Sequence, residues 1–421
     1  MSKTKTILIV GTYDTKAEEL AFVEQVIRDQ GGKAISMDVS VLGEPGHPPT
    51  HSRHEVAAAA GTDIAAVAAS GDENTAMAIM ARGAAALALR LHARGAFDGM
   101  IALGGTMGTD LALDVALALP LGVPKYIVST VAFSAVIAPE RLPGDVQMIL
   151  WAGGLYGLNA FCASTLAQAA GAVLGAARAT RRPAPARPLV GITSLGNACL
   201  RYIRILKPEL EARGYEVAIF HSTGMGGRAF EALAGRRGMV AALDLCLQEF
   251  NNGLFGSIIN SGTTRLESAG AAGVPQIVAP GAADLVDWPT WAPLPESFKD
   301  RPVHVHNKLI SSLTINAEER IFVAREIAAR LNLATAPVHM MMPLGGVEAW
   351  DRPGEVGHAP GDLAAFYAAL RESLSPRVAR TELDCHINAP EFAAAVLRIF
   401  DEWVALGIVP PAQSEPARVP A

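Results

Sequence analysis

Apolar residues in this chain alternate between two patterns. Short continuous runs, TILIV at 6–10 and MIAL at 100–103, read as strands covered on both faces. Stretches with helical spacing lie between such runs. One is KAEELAFVEQVIRDQGG from Lys16, with N-cap oxygens at Asp14 and Thr15 and a closing glycine pair. KAISMDVSV predicts a strand ending near Asp38. The alanine-rich run from Glu55 to Ala96, interrupted at Gly71 and Asp72, predicts two helices. Residues 124–130 predict a strand ending in Ser129 and Thr130, and GLNAFCASTLAQAAGAVLGAA predicts a helix whose small residues suit close packing, as at a subunit interface.

After the basic, proline-rich RATRRPAPARP the pattern restarts. PLVGITSLG, CLRYIRILKPELEARGY and EVAIFHSTGMGGRAFEAL repeat strand, turn and helix. GSIINSG and VPQIVAPG predict two further strands, and VHMMMPLGG another. Residues 284–302 read as an irregular loop long enough to cover a site. A helix is expected from Thr314, and another after LDCHINAPEFA. The expected class is therefore α/β: two Rossmann-like, open, mainly parallel sheet domains joined by a Pro-rich linker. The boundaries are 1–180, a linker at 181–188, 189–408, and a flexible tail at 409–421.

Composition narrows the function classes. Half of the 421 residues are hydrophobic and 18% are charged, which suits sizeable cores and excludes a disordered chain. The net charge is −6 and no basic block tracks a phosphate backbone, so no nucleic-acid partner is expected. Four scattered cysteines, with no signal-like leader and no uninterrupted apolar span, point to a cytoplasmic protein with no membrane partner. His47, His51 and His54 lie in a Pro/Gly loop with no helix or cysteine to fix them, so no metal site is expected there.

The candidate chemistry centres on GMIALGGTMGTD at 99–110. A buried strand enters a turn with Gly104, Gly105, Thr106, Gly108 and Thr109, and a helix follows. Glycines admit close backbone approach and a helix N-terminus favours negative charge, so the leading expectation for this turn is a phosphate cradle. It is neither a Walker loop nor a dinucleotide fingerprint. Gly11, Thr12, Asp14, Lys16 and Asp38 fall at strand ends facing the same crevice. Lys16 would neutralise phosphate, Asp38 would contact Mg²⁺ or ribose, and the hydroxyls of Ser129 and Thr130 would bond phosphate or ribose. A second constellation lies in the other half. His221 and His386 are candidate acid–bases and Arg228 an anion clamp. Gly226, Gly227, Arg265, His306, Asn307 and Asn388 are candidate substrate contacts for a small anionic ligand. The competing reading of each is an ordinary structural turn or hydrogen bond.

At GTYDTKAEEL, GGTMGTD, HSTGMGGRAFEAL, RLESAGAAGVPQIVAPGAADLV and DCHINAPEF the chain resembles the Tm-one-like ATP-binding domain family, bacterial relatives of the tomato mosaic virus resistance protein. The resemblance runs from about residue 5 to 405. It implies two α/β subdomains, a homodimer, and ATP bound by the first subdomain through Gly11–Lys16, Gly104–Thr109 and Ser129–Thr130, but no established reaction. The chain departs from the family's G-G-S-G-G-T-S at Met107 and Asp110, and carries Glu73 where an arginine is expected. A side chain at 107 restricts a left-handed backbone, and an acid at 110 repels any phosphate it faces. The leading expectation is an ATP-binding two-domain protein. The alternatives are a metabolic enzyme acting on a phosphorylated or carboxylated substrate through the second-domain His/Arg/Asn set, and a non-catalytic regulatory protein.

Overall fold

The computed structural model describes residues 4–180 and 187–412; residues 181–186 of the expected linker and 413–421 of the expected tail lie outside the described residues. The chain divides into two compact units, Met1–Pro183 and Ala184–Ala421.

The first unit runs β1 (Thr6–Gly11), α1 (Ala17–Asp29), β2 (Lys33–Asp38), α2 (Arg53–Ala59), α3 (Ile64–Ala68), α4 (Glu73–Ala93), β3 (Gly99–Gly104), α5 (Thr106–Ala118), β4 (Lys125–Ser129), β5 (Val146–Leu150) and α6 (Ala160–Ala179). The strands form one sheet in the order β2-β1-β3-β4-β5, every pair parallel. The apolar run of β1 splits between its faces. Ile7 and Ile9 pack with α1 and α6, and Leu8 and Val10 with α2, α4 and α5. The alanine-rich stretch forms three helices rather than two, because Gly61 and Gly71 each turn the chain through positive φ. Helix α6 is long and apolar enough to cross a membrane, yet Cys162, Leu166, Val173 and Leu174 on one face are buried against the sheet.

The second unit runs β6 (Leu189–Ser194), α7 (Ile203–Ala212), β7 (Glu216–His221), α8 (Met225–Gly235), β8 (Ala241–Cys246), α9 (Gln248–Leu254), α10 (Ser268–Ala272), β9 (Gln276–Gly281), β10 (Leu285–Pro289), β11 (His304–Val305), β12 (Ile310–Thr314), α11 (Ala317–Leu331), β13 (Val338–Pro343), α12 (Pro360–Ser373), β14 (Ala379–Leu383) and α13 (Pro390–Ala405). Its main sheet is again parallel, in the order β7-β6-β8-β9-β13-β14. Helices α7 and α13 cover one face; α11 and α12 pack on the other. An antiparallel sheet, β10-β12-β11, is inserted after β9, so residues 285–289 of the expected loop are a strand. Val409 is buried and Tyr215 donates to the Pro410 carbonyl, which anchors the chain past α13.

Beyond β10, β11 and β12, three more strands lie outside the expectation. β8, fully buried at the sheet centre, was not predicted, because Asp244 interrupts its apolar run. β5 and β14 lie at sheet edges, where the apolar signal is weakest. Conversely, the predicted strand at 257–261 is an irregular connection. Ser257 and Asn260 side chains bond its own backbone groups instead of leaving them for a ladder.

In both sheets the chain order reverses once, between β1 and β3 and between β6 and β8. Open α/β sheets bind ligands outside the strand ends at such a switch point. The tightest constraint at the first is Gly104, where an added Cβ would lie 2.5 Å from the Gly108 carbonyl carbon; at Gly105 it would meet only the Thr130 hydroxyl, at 3.8 Å. Gly104→Ala is therefore expected to destabilise the first unit by about 1–3 kcal/mol, and Gly105→Ala by less than about 0.5 kcal/mol, as measured by urea unfolding.

Candidate functional site

The first switch point gathers the expected turns. Gly11–Lys16 leaves β1, and Gly104–Gly108 leaves β3 beside it. Helix α5 opens on Gly105 with no side-chain cap bond, so its leading N–H groups point out of the β3 end without an internal side-chain acceptor. Lys16 opens α1, with its ammonium 5.9 Å from the Tyr156 ring centre. Thr12 and Thr15 share a 2.8 Å hydroxyl contact. Asp14 accepts from Gly43 and donates its N–H to Ser40.

Several expected contacts have structural partners instead. Thr109 and Ser129 are buried and bonded to each other at 2.7 Å, pinning the first turn of α5 to the end of β4. Asp38 is fully buried; its Oδ1 accepts from the N–H groups of Tyr13 and Ser40, which shapes the turn after β1 from beneath. The Thr130 N–H donates to the Gly104 carbonyl.

The departures at 107 and 110 are accommodated. Met107 lies within α5, and no left-handed backbone is required there. Asp110 receives two bonds from the Arg141 guanidinium, at 3.1 and 2.6 Å, and Asp114 receives a third at 2.6 Å. Glu73 is exposed in the first turn of α4. Beside α5 lies a cavity of about 310 Å³ whose lining includes Asn74, Met77, Thr106, Met107, Asp110 and Arg141.

The second glycine turn is occupied by the chain itself. The Glu249 carboxylate accepts from Gly224 at 2.8 Å and from Gly227, an expected substrate contact, at 3.2 Å. A Cβ at Gly227 would sit 1.8 Å from Glu249 Oε1, and one at Gly226 would sit 1.8 Å from the His221 carbonyl oxygen, so these glycines serve packing. Arg265, 1% exposed, is not a substrate contact either. Its guanidinium binds Asp244, Glu249 and Glu231, the last two at 3.0 and 3.3 Å. Burial pushes Glu249 up to about 7, against the pull of Arg265. Arg228 bonds the carbonyl and side-chain oxygens of Asn260.

His386 differs most from expectation. Nδ1 accepts from the Asn388 N–H at 3.0 Å, and Nε2 donates to the Glu348 carbonyl at 2.8 Å. With both ring nitrogens bonded, it has no nitrogen left for acid–base work. Asn388 fastens the loop before α7 through Ala198 and Arg201. Asn307 builds the β11–β12 turn by accepting from Leu309 and Ile310. His306 and His221 remain exposed. Among the described residues, no group of three or more His, Cys, Asp or Glu is arranged to hold a metal ion.

Sequence reading missed a buried acid cage. Asp284 Oδ2 lies 3.6 Å from Nη2 of buried Arg320, and buried Glu348 and Asp351 fall within the electrostatic reach of the same guanidinium. Burial pushes Glu348 up to about 9, and neighbouring Asp284 adds to the rise; Asp284 is itself raised by burial. Such acids bind protons more tightly folded than unfolded. Their stabilising effect is full below the ordinary carboxylate range and is lost as pH rises through about 9. Glu348→Gln is expected to flatten the fall in stability between pH 6 and 9, and to raise stability at pH 9 by about 1–3 kcal/mol. Parallel melting curves for the two proteins across that range would refute the assignment.

The family model described as the Uncharacterised protein family (UPF0261) N-terminal domain matches residues 5–182, and its C-terminal domain matches residues 187–404. A UPF0261 protein of Brucella melitensis is 56% identical over 403 residues, covering 96% of each chain. ToMV resistance protein Tm-1(GCR237) of Solanum lycopersicum is 27% identical over 426 residues, which is 95% of this chain and 56% of that protein. The Tm-one-like resemblance is thus a distant one. Among solved structures, the S. aureus MnaA–UDP co-structure is 11% identical, covers 65% of this chain and 79% of that one, and scores a TM-score of 0.22, too low to bear on fold or function. Both halves carry the same family's two domains in order: the chain belongs to the UPF0261 family.

Proposed function

We propose that the first unit binds a nucleotide through its phosphates at the β1/β3 switch point, with ATP and Mg²⁺ the ligand that the family resemblance suggests. One observation carries this reading. The uncapped start of α5 opens at a switch point, beside a cavity of about 310 Å³, with no Cβ at Gly105 in the way. The residues fit such a ligand. The N–H groups of Thr106, Met107 and Gly108 would hold phosphate oxygens, and Lys16 would add positive charge. Asp110, in the second turn of α5, is already paired with Arg141. Bound nucleotide would supply an activated phosphoryl group; the protein's part is to fix it by backbone donors that need no rearrangement. The second unit's glycine turn does not share this role, since Glu249 fills it.

Position 105 separates binding from folding, because its Cβ site is open. Calorimetric titration with ATP plus Mg²⁺ is expected to give micromolar binding to the native chain. In Gly105→Asp, which sets a carboxylate against the phosphates, affinity should fall by at least about tenfold. Arg141→Ala, which unmasks Asp110 and Asp114, should weaken binding less. No heat from the native protein with ATP, ADP or inorganic phosphate would overturn the proposal.

A further inference from the structure

The cavity of about 310 Å³ beside α5 reaches well beyond the helix start that a phosphate would occupy. Two helix faces form its walls. Asn74, Met77, Ala78 and Ala81 line it at the i, i+3, i+4, i+7 spacing of one face of α4. Thr106, Asp110 and Asp114 line it at the i, i+4, i+8 spacing of α5, which carries the space about 12 Å along that helix. Ala78 and Ala81 leave the room, since each gives the α4 wall only a methyl group. Val136, 70% exposed, and Ile137 form a third wall. Arg141 ties that loop to α5 by bonding the Asp110 carbonyl oxygen at 2.9 Å and the carboxylates of Asp110 and Asp114 at 2.6 Å each.

The lining selects a chemistry. Met77 comes from one helix and Met107 from the other, and thioethers pack well against aromatic rings. Val136 and Ile137 add aliphatic carbon. The charged groups stand apart from these, around Arg141. Two acids against one guanidinium leave one net negative charge, so a phosphate is repelled from this part of the cavity. Asp110 and Asp114 each use only Oδ1 on Arg141, and among the described residues their Oδ2 atoms make no hydrogen bond. A carboxylate oxygen accepts and does not donate, so this rim favours a ligand edge that carries N–H groups. A flat apolar ring with an amino edge meets both demands; an aliphatic chain or a sugar phosphate does not.

We propose that this cavity takes the base of a nucleotide, an aromatic heterocycle with an exocyclic amino group. The ring lies between the Met77 and Met107 walls, with its amino group turned to Asp110 and Asp114. The base reaches this space only when its phosphates sit at residues 106–108, so the assignment rests on the phosphate site proposed above. Ala78 and Ala81 are then the residues that admit the base. Arg141 is a positioning residue, because it holds both acids and the third wall.

Calorimetric titration of the full chain, with Mg²⁺ present, compares ATP, ITP and inorganic triphosphate. All three carry a triphosphate; ITP has an oxo group where ATP has the amino group, and the last has no base. ATP is expected to bind about tenfold or more tighter than triphosphate, and about fivefold or more tighter than ITP. Ala78 is exposed on α4, so Ala78→Phe should melt with the native protein. Its ring should lower ATP affinity to the triphosphate level, with triphosphate itself held within about twofold of its native value. If Ala78→Phe fails to fold, the three affinities of the native chain decide. Equal affinity for ATP and triphosphate, equal affinity for ATP and ITP, or undiminished ATP binding in folded Ala78→Phe overturns the base assignment and leaves the phosphate site standing. No heat from any of the three with the native chain removes the phosphate site itself.

Discussion

The buried guanidinium of Arg265 ties together three elements of the second unit through Asp244 on β8, Glu249 on α9 and Glu231 on α8. Three carboxyls around one cation leave surplus negative charge, and desolvation makes each ionised acid expensive. Part of that cost is offset locally. Glu249 receives the Gly224 and Gly227 N–H groups at the start of α8, where the helix dipole also favours an anion. Glu231 accepts from the backbone of Leu266 and Ser268, which sets the approach to α10. The position of α8, the shape of its glycine turn and the entry to α10 thus follow from one buried charge arrangement. Truncating the arginine would leave its acids uncompensated, whereas an apolar set of the same shape need not be less stable.

The two glycine turns then part ways for an electrostatic reason. Both follow a parallel strand, both open a helix, and both lack a side-chain cap on the N-cap residue. At α8 the donors face a carboxylate from α9 that no reading of the turn itself reveals. At α5, among the described residues, no carboxylate accepts from the leading donors, and Asp110 is paired with Arg141. An anion site is therefore a property of what is absent from the turn's surroundings as much as of the turn.

This sets how far the sequence was legible. Two α/β units, most strand and helix positions and the lead glycine turn follow from local periodicity and turn chemistry, which the chain states directly. β8 was missed because Asp244 breaks its apolar run, and the matching charge, Arg265, lies 21 residues away. His386 looked like an acid–base because a histidine at a strand end is exposed by default. Its saturation comes from the Asn388 N–H and from Glu348, 38 residues distant. β10 was hidden in a Trp- and Pro-rich stretch whose strand character depends on pairing with β12. Short-range signals carried the fold; long-range pairing decided which polar groups had anything left to give a ligand.

That distinction bears on the second unit's acids as a set. Glu249, Glu231, Asp284 and Glu348 all have raised proton affinities, and each is locked to backbone or guanidinium within the unit, away from solvent. A perturbed carboxyl alone is thus a poor marker of function here, since desolvation acts on structural and working acids alike. The acids around Arg320 are held by their own loop, where the Val347 N–H donates to Asp351 and the Trp350 N–H donates to Glu348.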